Sequence, residues 1–398
     1  MVQVKDLTEL SLRDLWEEVK DEDDWWGEVK QQTLRGVKRL LEGAMEGELM
    51  EELHAGWYRR TETRRGYRNG YRERSLLTEL GMLEHLRVPR DREGRYQTEV
   101  LPRYQRRQEG VNRMVRQMFL TGVSTRKVTE VLEPLLGASM SAQTVSRITR
   151  SLDAEVRRYQ SRPLEDKYLY LLLDGIVLKV KAATGVVKRL VLCAYGITPT
   201  GRREMISFRQ ANSESESQWE AFLRDLYDRG LEGGPLALVS TDGCSGLHQA
   251  LATVYPYVPR QRCWAHKMRN VAAKLPRKIQ AACLAEAKTI YQARTRREAI
   301  IRFRQWAAGW RQAAANAVKC IEDDLEELLP FLDCPQQHWK KVRTTNAIER
   351  SFREVRRRTR PMSCFQNSAS VDRIVYGVFS HLNNSWKDKP ITQFTHSS

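Results

Sequence analysis

The sequence lacks the segments that would hold the protein in a membrane or carry it across one. No stretch approaches the roughly 20 apolar residues of a membrane-spanning helix, and residues 1–6 contain no apolar signal core. The seven cysteines are odd in number and scattered, so they do not form a disulfide framework. These absences predict a cytoplasmic protein in a reducing compartment.

Acidic residues are outnumbered by basic ones. The 398 residues include 67 Lys and Arg against 50 Asp and Glu, which gives a formal net charge of +17. A soluble protein this basic most often meets a polyanion, and nucleic acid is the first candidate. A basic surface without enzymatic activity would give the same charge, so both explanations stay open. With 41% apolar residues, the chain can bury the cores of two or three domains.

Lysine is absent from the most basic part of the chain. Residues 57–116 contain sixteen arginines and no lysine, with tyrosines and glycines between them, whereas 1–56 are acidic and show helical spacing of apolar residues. The arginine guanidinium can donate two hydrogen bonds to one phosphate and can stack on aromatic rings. We therefore favour nucleic-acid contact over a solvated basic face. Residues 83–89 predict a short strand. The arginines predicted to contact DNA here are Arg59, Arg60, Arg64, Arg65, Arg68 and Arg72.

Residues 111–160 resemble a helix-turn-helix region. Three short amphipathic helices are predicted, and the third, over 142–150, presents polar side chains such as Arg147 and Arg150, as a helix in the major groove requires. Any three short amphipathic helices would give the same pattern. The residues that mark the predicted helix ends are Ser124, Pro134, Gly137 and Ser141.

From Tyr168 the apolar pattern changes to that of an α/β layer. Apolar runs predict strands, with helices over 213–230 and 246–254 between the later ones. Residues 267–340 contain no strand signal and predict a helical block, and 368–386 predict a final amphipathic helix. The predicted strands are 168–181, 186–195, 203–208, 235–242 and 260–266.

Residues 344–361 predict a helix with an unusual inventory. Asn346 can cap its start and Pro361 can stop it. Its first turn contains Glu349, and arginines follow. A carboxylate in a basic field can ligate a hard cation while arginines hold phosphates, but Asn346 and Glu349 also have the spacing of a capping box. The arginines predicted to lie near phosphates are Arg350, Arg353, Arg356 and Arg357.

Two aspartates accompany Glu349. Asp174 lies inside a predicted buried strand, where a carboxylate is costly unless something pairs with it. Asp242 follows another strand, and the Asp-Gly dipeptide there is also a favoured turn. Three acids that converge at one sheet edge would bind two divalent cations roughly 3.5–4 Å apart, and Mg²⁺ suits carboxylate oxygens.

Four motifs surround the three acids and the first residues after the last strand: Leu173-Asp174-Gly175, Thr241-Asp242-Gly243, Gln261–Asn270 and Thr345–Arg350. These motifs closely resemble those of the bacterial Mutator-type insertion-sequence transposases, and they occur in the family's order. The similarity covers nearly the whole chain, from about residue 50 to residue 390.

This resemblance implies an RNase H-like core, interrupted by a helical insertion, with Asp174, Asp242 and Glu349 as catalytic, metal-binding residues. It implies cleavage of double-stranded DNA at terminal inverted repeats and strand transfer into target DNA, by a homodimer or larger assembly at the bacterial nucleoid. The expected cofactor is Mg²⁺, for which Mn²⁺ should substitute. A DNA-binding regulator on an inactive core and a structure-selective nuclease are the alternatives.

The motif Cys263-x-x-His266 is half of a tetrahedral zinc site, and no second pair with suitable spacing follows. We interpret Cys263 and His266 as active-site neighbours, where His266 binds phosphate or orients a carboxylate; a structural histidine is the alternative. Trp264 is a candidate for stacking on a base, against ordinary core packing. The six segments predicted are 1–56 acidic and helical, 57–110 arginine-rich, 111–160 helix-turn-helix-like, 165–266 first core part, 267–340 helical insertion, and 341–398 final core helix and tail.

Overall fold

A computed structural model describes residues 24–183, 185–360, 364–365 and 367–395. The chain forms two compact units. One contains the residues up to 119 together with 123–150, and the other contains 120–122 and the chain from 151 onwards. No helix in the described ranges is both long and apolar enough to cross a bilayer.

The first unit begins with the long helix α1 (Trp25–Leu53), which confirms the helical prediction for the described part of 1–56; residues 1–23 lie outside the described ranges. The Asp24 carboxylate caps α1 by accepting a hydrogen bond from the Gly27 amide at 3.0 Å. Apolar residues of α1, including Leu34 and Met45, pack on a β-hairpin. This packing buries part of the helical stripe seen in the sequence, while Leu40 stays 71% exposed.

The hairpin pairs β1 (Arg68–Leu77) with β2 (Met82–Asp91). Strand β2 was predicted, but β1 was missed because its Asn69-Gly70 dipeptide reads as a turn. The register shifts between Arg68 and Tyr71, and Gly70 adopts a φ of 65° there. The dipeptide therefore forms a bulge inside a strand, where glycine adopts the positive φ without steric cost because it has no Cβ atom.

Three helices complete the first unit: α2 (Glu109–Leu120), α3 (Thr125–Leu136) and α4 (Ala142–Arg150). The predicted caps are confirmed, since Ser124 Oγ accepts from the Lys127 amide at 3.3 Å and Ser141 Oγ from the Thr144 amide at 3.2 Å. Pro134 was predicted to mark the end of α3, but it lies within the helix. The buried Leu132 and Leu136 hold the last turn in the core.

The second unit begins with α5 (Leu152–Ser161), although the sequence pattern groups this helix with 111–150. It is built on a five-stranded mixed sheet of order β5-β4-β3-β6-β7, in which β3, β4 and β5 are antiparallel and β6 and β7 run parallel to β3. The α/β class is thereby confirmed, and the RNase H-like type stays a prediction. The strands are β3 (Tyr170–Ala182), β4 (Gly185–Ile197), β5 (Arg203–Ala211), β6 (Leu238–Thr241) and β7 (Arg260–Arg262).

Helices α6 (Glu216–Asp228) and α7 (Ser245–Val254) cover one face of this sheet. Their apolar residues form a single buried cluster with Leu171 and Leu173 of β3. Since side chains alternate along a strand, Asp174 lies on the other face. That face is covered by the two last long helices, both contacting β3.

Between β7 and those helices the chain forms the predicted helical block. The first helix begins at Trp264, so the last strand covers three residues rather than the predicted 260–266. The two ends of the block meet, because the Trp264 amide donates to the Arg343 carbonyl at 3.0 Å. The α-helices are α8 (Trp264–Ala273), α9 (Arg277–Ala287), α10 (Arg296–Trp310), α11 (Ala315–Glu322), α12 (Leu325–Leu328) and α13 (Trp339–Val342), with short 3-10 turns at Ile290–Gln292, Pro330–Asp333 and Gln336–His338.

The chain then forms α14 (Asn346–Thr359), α15 (Ser368–Trp386) and α16 (Thr392–Thr395). Helix α15 matches its prediction at both ends. For α14 the predicted cap is wrong: Thr345 occupies the cap position, and Asn346 is the first helical residue. Residue 361, the predicted stop, lies outside the described ranges.

Candidate active site

Strand register brings the two candidate aspartates to one level of the sheet. Leu173 pairs with Thr241, and Thr241 pairs with Arg262 on β7. Asp174 and Asp242 each follow one of these paired residues. Because β6 and β7 end here, Asp242 lies at the carboxyl edge of the parallel strands, beside the middle of β3.

Asp174 is a buried acid, with 7% of its surface exposed. The Gly175 amide donates to its Oδ1 at 2.7 Å. Burial, followed by the negative charge of Asp242, raises the pKa of Asp174 to about 7, while His266 opposes the rise. The carboxylate is thus held where its charge is unfavourable, and a cation would relieve both effects.

Glu349 lies in the first turn of α14, with its backbone amide bonded to the Thr345 carbonyl at 3.0 Å. Its carboxylate does not form the capping box that the spacing allowed. Instead, Oε2 accepts from Arg269 Nη2 at 3.1 Å, and Oε1 lies 3.5 Å from His266 Nε2. The glutamate is therefore fixed by two side chains of α8.

Asp174, His266 and Glu349 present ligand atoms that all lie within 4.8 Å of one another. Two carboxylates and one imidazole are donors that suit a divalent metal. Asp242 is not part of this group; its Oδ1 accepts from the Cys244 amide at 3.0 Å, as in the turn considered as the alternative. Its charge still reaches Asp174 and raises that pKa. The structure therefore gathers two of the three predicted acids directly, and the triad stays a prediction.

Cys263 supports this cluster from behind. It is fully buried, and the amide and hydroxyl of Thr345 donate to its Sγ at 3.2 and 3.4 Å. Burial opposes ionisation of the thiol, but hydrogen bonds from His266 and Thr345 outweigh burial and lower its pKa. The bond to Cys263 in turn raises the pKa of His266 to about 8 against burial, helped by the charges of Asp174 and Glu349. Cys263 thus lies beside the cluster, whereas His266 belongs to it, and the roles proposed for both stay predictions.

Two residues at the site were missed from the sequence. Arg269 follows His266 by three positions on α8, a spacing that puts both on one helix face. Glu214 is an exposed residue whose carboxyl group is partly desolvated. This desolvation, followed by the negative charge of Asp242, raises the pKa of Glu214. A side chain on Gly175 would lie 3.1 Å from Glu214 Oε1, so glycine permits this close approach.

Trp264 does not face a ligand. It is 1% exposed, donates from Nε1 to the Leu328 carbonyl at 2.7 Å, and its ring contacts Tyr291. The prediction that it stacks on a base is wrong in this structure, because its indole is enclosed by the helical block.

The arginines predicted to bind DNA in the first unit fall into two groups. Arg59, Arg60, Arg65 and Arg72 are exposed, as are Arg147 and Arg150 on α4. Arg68 instead pairs with Glu46 at 2.7 Å and lies over the Trp57 ring. Arg64 donates to the Gly66 carbonyl at 2.8 Å. Both side chains contribute to the fold, but only the charge of Arg68 is balanced by an acid.

On α14 the four predicted arginines are all exposed: Arg350, Arg353, Arg356 and Arg357. Arg357 lies 3.9 Å from Glu354, which pairs more closely with Arg358 at 2.6 Å. The helix thus presents cations to solvent along the turns that follow Glu349.

Fold and site together define an α/β protein with a carboxylate–imidazole cluster at the edge of a mixed sheet. The sequence profile described as "Transposase, Mutator family" matches residues 8–389. The chain belongs to this family, which confirms the resemblance seen in its motifs.

Individual relatives agree with this assignment. The chain is 37% identical over 352 residues to the transposase for insertion sequence element ISRM5 of Rhizobium meliloti (strain 1021), covering 88% of each chain. It is 36% identical over 353 residues to the transposase for IS406 of Burkholderia multivorans, covering 88% of this chain and 90% of the relative. The transposase for IS256 in transposon Tn4001 of Staphylococcus aureus is 35% identical over 349 residues, with 86% and 87% covered.

Proposed function

We propose that the chain is a DNA transposase that binds terminal inverted repeats, cleaves the ends of its element and joins them to target DNA. The observation that carries this proposal is the grouping of Asp174, His266 and Glu349 within 4.8 Å, with Asp242 beside them. Membership of the Mutator family supports the reaction class. The reaction belongs in the bacterial cytoplasm, at the nucleoid.

The donor set fits a divalent cation. Asp174, Asp242 and Glu349 would hold Mg²⁺, or Mn²⁺ in its place, because hard cations prefer carboxylate oxygens. When bound, such a cation supplies Lewis acidity to a phosphodiester displacement. The raised pKa of Asp174 supports this assignment, since mutual repulsion of the acids is what a cation would offset.

Other residues position the acids. Arg269 and His266 hold the Glu349 carboxylate from two directions, which limits its rotation before the substrate arrives. Cys263 and Thr345 fix the start of α14 and, through it, the height of Glu349 above the sheet. These contacts hold the Glu349 carboxylate in one orientation before a metal or substrate binds.

DNA recognition would fall to the first unit. The exposed arginines of 59–72 and the polar face of α4 are candidates for phosphate and base contact, respectively. A homodimer or larger assembly on paired element ends is part of the same proposal. Light scattering with and without end DNA would test this state directly.

The central test is cleavage and strand joining on a duplex carrying the element's own end, in Mg²⁺. Asp174→Asn, Asp242→Asn and Glu349→Gln should each reduce joining by at least about a thousandfold, as expected when a metal ligand is lost. Asp228→Asn, an exposed acid at the end of α6, is the matched control and should keep activity. If the three site variants join ends as the wild type does, the carboxylate assignment is wrong.

A further inference from the structure

A second cavity lies beside α14, away from the carboxylates. It has a volume of about 500 Å³ and is enclosed by α13, α14, α15 and the neighbouring ends of β4 and β5. Its lining is strongly basic. The five cationic residues in its wall are Arg203, Lys340, Lys341, Arg350 and Arg353.

None of these five cations forms an ion pair with an acidic residue in the described ranges of the chain. One acid, Glu354, lines the cavity, but its carboxylate already accepts from Arg358 at 2.6 Å. Burial, and then the nearby charges of Arg350, Arg203 and Lys340, lower the pKa of Lys341. The protein therefore concentrates positive charge here without neutralising it.

Two buried polar atoms in the same wall lack a hydrogen-bond partner. Ser351 is only 1% exposed and its Oγ has none, and the same is true of the buried Arg203 Nε. Buried polar groups are almost always paired, so unpaired ones need an explanation. Solvent does not reach either atom, so neither faces the cavity as a donor, and the groups that can meet a ligand there are the cations of the wall.

The other side of the cavity is aromatic. The Arg203 guanidinium lies 5.0 Å from the centre of the Trp386 ring, and that ring meets Tyr195 edge-on. Stacking on the indole fixes the orientation of the guanidinium. An arginine held in this way can present its donors to a planar or tetrahedral anion without losing further side-chain freedom.

The cavity adjoins the carboxylate cluster without sharing its residues. Arg350 follows Glu349 directly, so it points about 100° further round the helix. Arg353, four residues after Glu349, lies between the two directions. Helix α14 therefore presents an acidic site on one face and a basic cavity on the next.

We propose that this cavity is a phosphate-binding site, with Lys341, Arg350 and Arg203 as its cations. The phosphate belongs either to a nucleic-acid strand or to a small polyphosphate. If the phosphate belongs to a nucleic-acid strand, this proposal rests on the proposed transposase function. The binding of phosphate as such does not depend on that function.

The experiment uses pyrophosphate as the probe and the full-length chain, by titration calorimetry in EDTA. EDTA removes divalent cations, so the carboxylates cannot recruit the probe. Lys341→Gln and Arg350→Gln should each weaken binding about tenfold, the effect of losing one charge-assisted hydrogen bond.

Arg202→Gln is the matched control. Arg202 is exposed, neighbours Arg203 in sequence and does not line the cavity, so its loss should leave pyrophosphate affinity unchanged. Circular dichroism of each variant checks that it is folded. The proposal is overturned if the wild type does not bind pyrophosphate at millimolar concentration, or if folded cavity variants bind it as tightly as the wild type.

A second titration separates the two sources of phosphate. If the cavity holds a nucleic-acid strand, a single-stranded oligonucleotide without terminal phosphates should displace pyrophosphate. Arg350→Gln should then weaken binding of the oligonucleotide more than Arg202→Gln does. If the oligonucleotide does not displace pyrophosphate, the site serves a small polyphosphate. If the wild-type protein does not join ends in the strand-joining assay, the transposase function is refuted, and the pyrophosphate result still stands.

Discussion

The acidic cluster and the basic cavity on the two faces of α14 are built by opposite electrostatic strategies. At the cluster, Asp174 is crowded by Asp242, and Glu349 is partly balanced by Arg269 and His266. At the cavity, five cations are left with no acidic partner in the described part of the chain. The negative charge of the cluster is thus balanced only in part, whereas the positive charge of the cavity has no acidic partner among the described residues. Such unfavourable local charge is typical of sites whose ligand carries the opposite sign.

The sharpest test of this comparison is whether the two sites can be lost separately. Asp174→Asn and Glu349→Gln should abolish binding of Mn²⁺, measured by electron paramagnetic resonance, and leave pyrophosphate affinity in EDTA unchanged. Arg350→Gln should weaken pyrophosphate binding about tenfold and leave Mn²⁺ binding unchanged. If either kind of variant loses both ligands while it remains folded, the two regions form one site and the distinction fails.

A smaller effect is expected at Arg269, which contacts Glu349 without belonging to the group of metal ligands. Arg269→Gln should lower the rate of end cleavage by roughly 10–100-fold, the usual range for a residue that orients a ligand. Arg269→Lys should recover part of the rate, since it restores the charge without the two-pronged contact. Equal losses for both variants would argue against a positioning role.

The smallest effect concerns stability. Asp174→Asn removes a buried charge that Asp242 repels, so in EDTA at pH 8 it should stabilise the protein by about 1 kcal/mol. This corresponds to a rise in Tm of roughly 2–4 °C for a unit of this size. Asp228→Asn, which is exposed, should leave Tm unchanged. A lower Tm for Asp174→Asn would mean that the carboxylate stabilises the fold rather than straining it.

Much of the fold could be predicted because apolar periodicity is local. The strands of the sheet and helix α15 follow directly from their runs of buried residues. Strand β1 could not be predicted in this way, since its burial alternates poorly and a bulge at Gly70 interrupts it. The start of α14 was misplaced by one residue because Thr345 bonds to Cys263 across 82 positions of sequence, a contact that no local pattern reveals.

The candidate site was predictable only in part. Asp174 became a candidate through its apolar flanks, and Glu349 through the arginines that follow it and the family motif that contains it. The pairing of Glu349 with Arg269 instead of a capping box depends on how α8 and α14 pack, and sequence spacing does not determine that packing. The basic cavity draws its residues from distant elements, and only Arg350 and Arg353 belonged to a motif that the sequence emphasised.

The meeting of the two ends of the helical block has an evolutionary consequence. The chain leaves the sheet after Cys263 and returns at Thr345, and these two residues are in direct contact. The intervening segment is therefore a closed excursion, and changing its length need not move its endpoints. Helices between α8 and α13 could therefore be gained or lost while Glu349 keeps its place above Asp174. Helix α8 itself is not replaceable in this way, because it supplies His266 and Arg269 to the site.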